Sequence, residues 1–140
     1  MVWLCLTQLY TATMVINMAY HRIEIPLCEA RHEITTKEGK KLEGGIFPQV
    51  VENPMDFIGL EAEVHSFINA FKRACGFEEG DTIVIDLYVT GLTPCLVAYI
   101  NSLAMFNFCK INIQSNLYHY NRENGGYEKQ TLITERREVY

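Results

Sequence analysis

A single apolar run in the middle of the chain constrains the fold more than any other feature. Residues 83–89 are Ile-Val-Ile-Asp-Leu-Tyr-Val, with several β-branched side chains and one acidic residue. Such a run is typical of a strand that is covered on both faces, as in a parallel sheet. The chain then turns at Thr90-Gly91, and apolar residues recur afterwards at helical spacing. We predict that Thr93 caps this helix and that Pro94 is its first helical residue.

The segment before this strand predicts one strand, one hairpin and one helix. Residues 20–27 partly alternate between apolar and polar side chains, which is typical of a half-buried strand. A hairpin is predicted over residues 31–47. Apolar residues recur every three or four positions over 60–75, so an amphipathic helix is predicted there, with Asp56 as its candidate cap and Gly76 at its end.

The segment after the second helix predicts a strand over 110–120 and then a hairpin. Asn124, Gly125 and Gly126 supply the positive φ angles of a tight turn, and the chain returns over 127–133. The order strand, helix, strand indicates an α/β fold, here a Rossmann-like, mainly parallel sheet with two main helices, an N-terminal hairpin and a C-terminal β-hairpin. In a right-handed βαβ unit, the end of the strand 110–120 lies near the glycine turn.

Composition favours one globular domain over residues 18–140. The chain has 140 residues, 49% hydrophobic, and a formal net charge of -5, which argues against binding of duplex nucleic acid. Residues 1–17 carry no charge and are broken by polar residues, which predicts neither a signal peptide nor a membrane span. The segment is either a strand or helix packed on the domain or, as we expect, an N-terminal extension upstream of a start at Met14 or Met18. Five cysteines without a Cys-x-x-Cys pair indicate a reducing compartment, hence the cytoplasm.

Candidate site residues lie at the glycine turn and at the end of the strand 110–120. No catalytic triad, P-loop, paired-carboxylate motif or metal-ligand spacing occurs in the sequence, so neither a metal nor a cofactor is predicted. Tyr118, His119 and Tyr120, followed by Tyr127, can stack on a base, and Arg122 can pair with a phosphate. The plainer interpretation is a set of cross-strand aromatic pairs on a hairpin. Asp86, inside the apolar run, is either a satisfied buried acid or part of a face turned to a partner.

The segment 89–94, Val-Thr-Gly-Leu-Thr-Pro, resembles the Thr-Gly-Gly-Thr type loop of CARF domains, the CRISPR-associated Rossmann-like fold. In that family the loop lies between a core strand and a helix and helps to bind cyclic oligoadenylate. Leu92 stands where the family has its second glycine. The resemblance implies a homodimer with two such loops facing one ligand. It also implies a role in antiviral defence, and the small standalone members of the family include metal-independent ring nucleases.

Three functions therefore stand as hypotheses. The first is binding of a cyclic oligonucleotide second messenger, with sequestration or slow cleavage. The second is a non-enzymatic α/β accessory or protein-interaction protein with no nucleotide ligand, in which the turn is only a strand-to-helix connection. The third, ranked last, is a small phosphate-transfer or hydrolytic enzyme. For the first hypothesis the predicted ligand-binding residues are Thr90, Gly91, Leu92, Thr93, Tyr118, His119, Tyr120 and Arg122.

Overall fold

A computed structural model of the protein describes residues 18–132. The expected N-terminal extension lies outside these residues, as does the chain beyond Leu132. The elements in chain order are β1 (Tyr20–Pro26), β2 (Ile34–Thr35), β3 (Lys41–Leu42), α1 (Phe57–Cys75), β4 (Thr82–Tyr88), α2 (Thr93–Phe108), β5 (Asn112–Asn121) and β6 (Gly126–Leu132).

The main sheet has four strands in the order β1-β4-β5-β6. β4 pairs in parallel with β1 on one side and with β5 on the other, while β6 returns antiparallel to β5. β2 and β3 form a separate short antiparallel hairpin. The predicted α/β fold, with a mainly parallel sheet, two helices and two hairpins, is confirmed.

Both helices lie on one face of the sheet and contact each other. On that face Ile83, Ile85 and Leu87 are fully buried in the core. Burying one such side chain stabilises the fold by about 1.5–3 kcal/mol, so β4 is the main hydrophobic element of the sheet. The other face of β4 is also buried, but no helix among residues 18–132 covers it. Side chains of the neighbouring strands and the tip of the β2–β3 hairpin surround that face instead.

The ends of α1 follow the sequence prediction. The carboxylate of Asp56 accepts a hydrogen bond from the Gly59 N–H at 3.1 Å, which caps the helix start. The helix ends at Gly76, whose φ of 66° lies in the left-handed region that glycine adopts without strain.

The predicted cap of α2 is wrong. Thr93 is the first helical residue, and Leu92 occupies the N-cap position in an extended conformation with no side-chain hydrogen bond. The carbonyl of Leu92 accepts from the Cys95 N–H at 3.1 Å, so the helix begins one residue earlier than predicted. Proline is tolerated throughout the first helical turn, so Pro94 does not by itself fix which residue starts the helix.

Asp81 links the start of β1 to the loop that precedes β4. Its carboxylate accepts hydrogen bonds from the N–H groups of Ala19 and Glu78, both at 3.0 Å, and lies 2.8 Å from His21 Nε2. These bonds, led by that from Ala19, stabilise the charged form and lower the pKa of Asp81 from 3.8 to about 2.

Asp81→Asn is expected to lower the free energy of unfolding at pH 7, because the amide cannot replace the charge-assisted bonds. A group whose pKa is depressed on folding contributes stability above its unfolded pKa and loses it as the pH falls. The difference between parent and variant should therefore shrink between pH 4 and pH 2. Thermal unfolding across this range, with the exposed neighbour changed in Glu79→Gln as the control, measures it. A difference that stays constant with pH contradicts this role.

Candidate ligand-binding site

A cavity of about 950 Å³ opens at the carboxyl ends of β1, β4 and β5, and we name it the carboxyl-end cavity. This is the edge at which open α/β sheets bind their ligands. Its walls come from the loop after β1, the chain before α1, the glycine turn and the C-terminal hairpin. They comprise residues 28–35, 49–51 and 89–92, with Tyr120, Gly125 and Tyr127.

The glycine turn is fixed to the end of β1 by two hydrogen bonds. The Thr90 hydroxyl donates to the Cys28 carbonyl at 2.6 Å and accepts from the Cys28 N–H at 3.1 Å. Gly91 has a φ of 82°. A Cβ atom on Gly91 would lie 2.7 Å from the Cβ of Cys28, so only glycine lets the turn approach this closely. The turn is therefore positioned before any ligand arrives.

The start of α2 lies at the rim of the carboxyl-end cavity. Leu92, its N-cap residue, lines the cavity and is 44% exposed. Because no side chain caps this helix, the partial positive charge of its first turn has no side-chain acceptor. An anionic group there would be stabilised by about 0.3–1 kcal/mol.

Two tyrosines form an aromatic wall of the carboxyl-end cavity. The rings of Tyr120 and Tyr127 lie edge to face, with centroids 5.5 Å apart. Tyr120 is exposed, whereas Tyr127 is half-buried, and burial raises the pKa of the Tyr127 hydroxyl. Behind them, Tyr127 packs edge-on against Tyr88 at 5.0 Å. Such rings offer flat apolar surfaces on which a planar ligand can stack.

The charged lining of the carboxyl-end cavity is mixed. Arg31 and His32 lie beside Glu29 and Glu33 in the loop after β1, and all four are exposed. Within residues 18–132 the Arg31 guanidinium takes part in no ion pair. Its donors are therefore available for a bidentate contact with a phosphate or carboxylate.

A second cavity, of about 340 Å³, lies on the sheet face that lacks helices, and we name it the open-face cavity. At its floor Asp86 is 4% exposed. Arg22 donates to Asp86 through Nε at 2.7 Å and through Nη2 at 3.4 Å, and Asn116 Nδ2 donates at 2.9 Å. Asp86 is thus a satisfied buried acid, the first of the two interpretations. Its hydrogen bond and charge raise the pKa of Arg22. The lining residues are Arg22, Glu24, Lys37, Glu38, Asp86, Tyr88 and Tyr118.

The structure brings together only half of the eight predicted site residues. Tyr118 lines the open-face cavity. His119 points to the opposite face, with Nε2 2.8 Å from Gln130 Oε1, because side chains alternate along a strand. Arg122 is exposed on the hairpin turn. Thr93, His119 and Arg122 line neither cavity in the described part of the chain. The carboxyl-end cavity brings together Thr90, Gly91, Leu92 and Tyr120.

Two basic residues of the carboxyl-end cavity, Arg31 and His32, were not among the residues predicted from the sequence. A sequence signal for them existed, because they lie in the loop after β1 and the carboxyl ends of parallel strands share one edge. Tyr127, which belongs to the aromatic cluster named from the sequence, lines the cavity because it pairs directly across the hairpin with Tyr120.

Between Met18 and Leu132, no group of three or more His, Cys, Asp and Glu side chains is arranged to hold a metal ion. No helix in the same range combines the length and the apolar composition needed to cross a membrane. Compared with known protein families, curated proteins and solved structures, the chain matches none of them. The fold defines the chain as an α/β protein with a cavity at the carboxyl edge of its sheet.

Gly91→Ala is expected to destabilise the protein more than Gly39→Ala. Both positions have a left-handed φ, which costs an alanine about 1 kcal/mol. A Cβ at Gly39 meets no atom within 4 Å, whereas one at Gly91 meets the Cys28 side chain. Overpacking should therefore cost Gly91→Ala a further ~1–3 kcal/mol. Urea unfolding of both variants measures the difference, and equal losses would show that Gly91 is not packed against Cys28.

Proposed function

We propose that this protein binds a cyclic oligonucleotide in the carboxyl-end cavity. The observation that carries the proposal is the convergence of two tyrosine rings, a glycine turn and Arg31, which has no ion pair within residues 18–132, in one cavity at the carboxyl edge of a parallel sheet. These groups match the parts of a nucleotide, since rings stack on bases and guanidinium groups pair with phosphates. The resemblance of residues 89–94 to the CARF loop supports the cyclic form of the ligand.

The contributions of the individual groups favour a ligand with several bases. The helix start adds at most about 1 kcal/mol for an anion. Stacking of one base on a tyrosine contributes about 1–3 kcal/mol. A single nucleotide would therefore bind weakly, and tight binding needs more than one base and more than one phosphate contact.

We propose further that two copies of the chain face one ligand across a two-fold axis. A protein with a net charge of -5 then concentrates two arginines, one from each copy, around a polyanion. Support comes from the rim of the carboxyl-end cavity, where Val50 and Leu92 are exposed apolar residues. The proposed activity is sequestration or slow cleavage of the ring. In cleavage, a 2′-hydroxyl group of the ligand attacks the adjacent phosphate, its bond to phosphorus closes a 2′,3′-cyclic phosphate, and the 5′-oxygen leaves and takes up the proton. This step needs orientation and anion stabilisation rather than a metal.

One observation favours the second hypothesis, a protein-interaction role. The start of α1 carries a group of exposed apolar side chains, Met55, Phe57 and Ile58, the last of them 84% exposed. Contiguous exposed apolar surface is typical of a protein-binding site. This group does not line the carboxyl-end cavity, so the two roles predict different effects of changes at the cavity.

Binding of cyclic di-, tri-, tetra- and hexa-adenylate, measured by calorimetry, tests the nucleotide proposal. At a free concentration of 100 times its dissociation constant, the bound ring should stabilise the fold by about 2.7 kcal/mol. Arg31→Ala should weaken binding by about tenfold or more, because a charge-assisted contact is lost. The matched control is Arg73→Ala, in the last turn of α1, at the opposite end of the helix layer.

Light scattering in the same titration should report a doubling of mass when the ring binds. If no ring binds, the nucleotide proposal is wrong and the interaction hypothesis takes its place. If a ring binds but Arg31→Ala binds it as tightly as the parent and the control Arg73→Ala do, the ligand does not occupy the carboxyl-end cavity.

A further inference from the structure

Two cysteines that are far apart in the sequence lie together beside the glycine turn. Cys28 follows β1, Cys95 lies in the first turn of α2, and both carry free thiols. Both belong to the buried core, and Cys28 also lines the carboxyl-end cavity. The other two cysteines of residues 18–132 lie elsewhere, Cys75 at the end of α1 and Cys109 directly after α2.

The sulfur of Cys28 lies against the backbone of the glycine turn. A Cβ atom on Gly91 would meet both the Cβ and the sulfur of Cys28. The main chain of Cys28 is fixed there as well, because its N–H and its carbonyl both bond to the Thr90 hydroxyl. α2 begins directly after this turn, where the Cys95 N–H donates to the Leu92 carbonyl at 3.1 Å. The Cys28 sulfur is therefore held at the start of the helical turn that contains Cys95.

The two thiols interact with each other. Burial, together with the charge of Cys28 and a hydrogen bond to it, raises the pKa of the Cys95 thiol to about 12. Cys95 therefore keeps its proton at neutral pH, and the sulfur of the pair that forms a thiolate is that of Cys28. The start of α2 has no side-chain cap, and the partial positive charge of a helix start stabilises a nearby thiolate.

We propose that Cys28 and Cys95 form a reversible disulfide, in which Cys28 is the sulfur that a hydroperoxide oxidises first. Cys28 is the member of the pair that a small solute meets in the carboxyl-end cavity, whereas Cys95 is fully buried and acts second. The site goes beyond the proposed function, because it does not depend on which ligand the cavity holds.

The oxidation has two steps and consumes one hydroperoxide. The Cys28 thiolate attacks the O–O bond, an S–O bond forms, and the leaving oxygen takes up a proton, so that Cys28 becomes a sulfenic acid. The Cys95 sulfur then attacks the Cys28 sulfur. An S–S bond forms, the S–O bond breaks, and the hydroxide leaves as water with the Cys95 proton. The two thiols lose two electrons in total, and the hydroperoxide gains them.

Treatment of the full-length protein with hydrogen peroxide, followed by alkylation and peptide mass spectrometry without reduction, tests the site. The parent should yield a peptide pair that joins Cys28 to Cys95 and that dithiothreitol separates. Its melting temperature should rise on oxidation and fall again on reduction, because the bond closes a long loop of the unfolded chain. The control Cys75→Ser, which changes a half-buried cysteine at the end of α1, should keep both results.

Cys95→Ser supplies the second readout. Without the second sulfur, Cys28 should remain a sulfenic acid that dimedone traps, and peroxide should no longer raise the melting temperature. The proposal is overturned if Cys28 and Cys95 of the parent remain free thiols while the exposed Cys109 is oxidised, or if Cys28 pairs with another cysteine. Both of these outcomes are read on the parent, so they do not require Cys95→Ser to fold.

Discussion

The ion pair between Asp86 and Arg22 is the interaction on which the open face of the sheet depends. A buried carboxylate without a partner costs several kcal/mol, so the central strand requires donors from both of its neighbours. Arg22 supplies them from β1 and Asn116 supplies one from β5. A shift of either pairing by one residue would turn these donors to the helix face. The pair therefore helps to fix the register of three strands.

Coverage by helices on one side only has a direct consequence for function. The helix face buries its apolar residues in one core, whereas the open face carries polar and aromatic side chains, several of which line the open-face cavity. At the carboxyl ends of the strands this polar, aromatic face meets the glycine turn, which Thr90 holds against Cys28. The candidate site thus combines a polar, aromatic sheet face with a fixed glycine turn, and packing of the hydrophobic core requires neither.

Much of the fold could be predicted from the sequence, because in β4 and α1 the local sequence pattern agrees with the packing of the whole domain. The apolar run became β4, and the residues that start and end α1, Asp56 and Gly76, act as predicted. Thr93 misled the prediction because a threonine before a proline fits either the N-cap or the first helical position.

The candidate site could be predicted only in part. Leu92 and Tyr120 line the carboxyl-end cavity because one follows β4 and the other lies at the end of β5, two strands that the sequence pattern predicts. Placing His119 required knowledge of which residues of β5 face the core. The prediction grouped His119 with Tyr118 and Tyr120, whereas side chains alternate along a strand and His119 lies on the opposite face. For Arg31, the shared carboxyl edge of the parallel strands indicated the general position, whereas the path of its loop depends on long-range packing that the local sequence does not encode.

Hydrogen–deuterium exchange with and without cyclic tetra-adenylate tests the central claim, that the carboxyl-end cavity holds the ligand. Exchange should slow over residues 28–35 and 89–93, which line the cavity or begin α2, and should stay unchanged over residues 69–76 at the far end of α1. Slower exchange confined to the start of α1, or no change at the glycine turn when the ligand is bound, would contradict the claim.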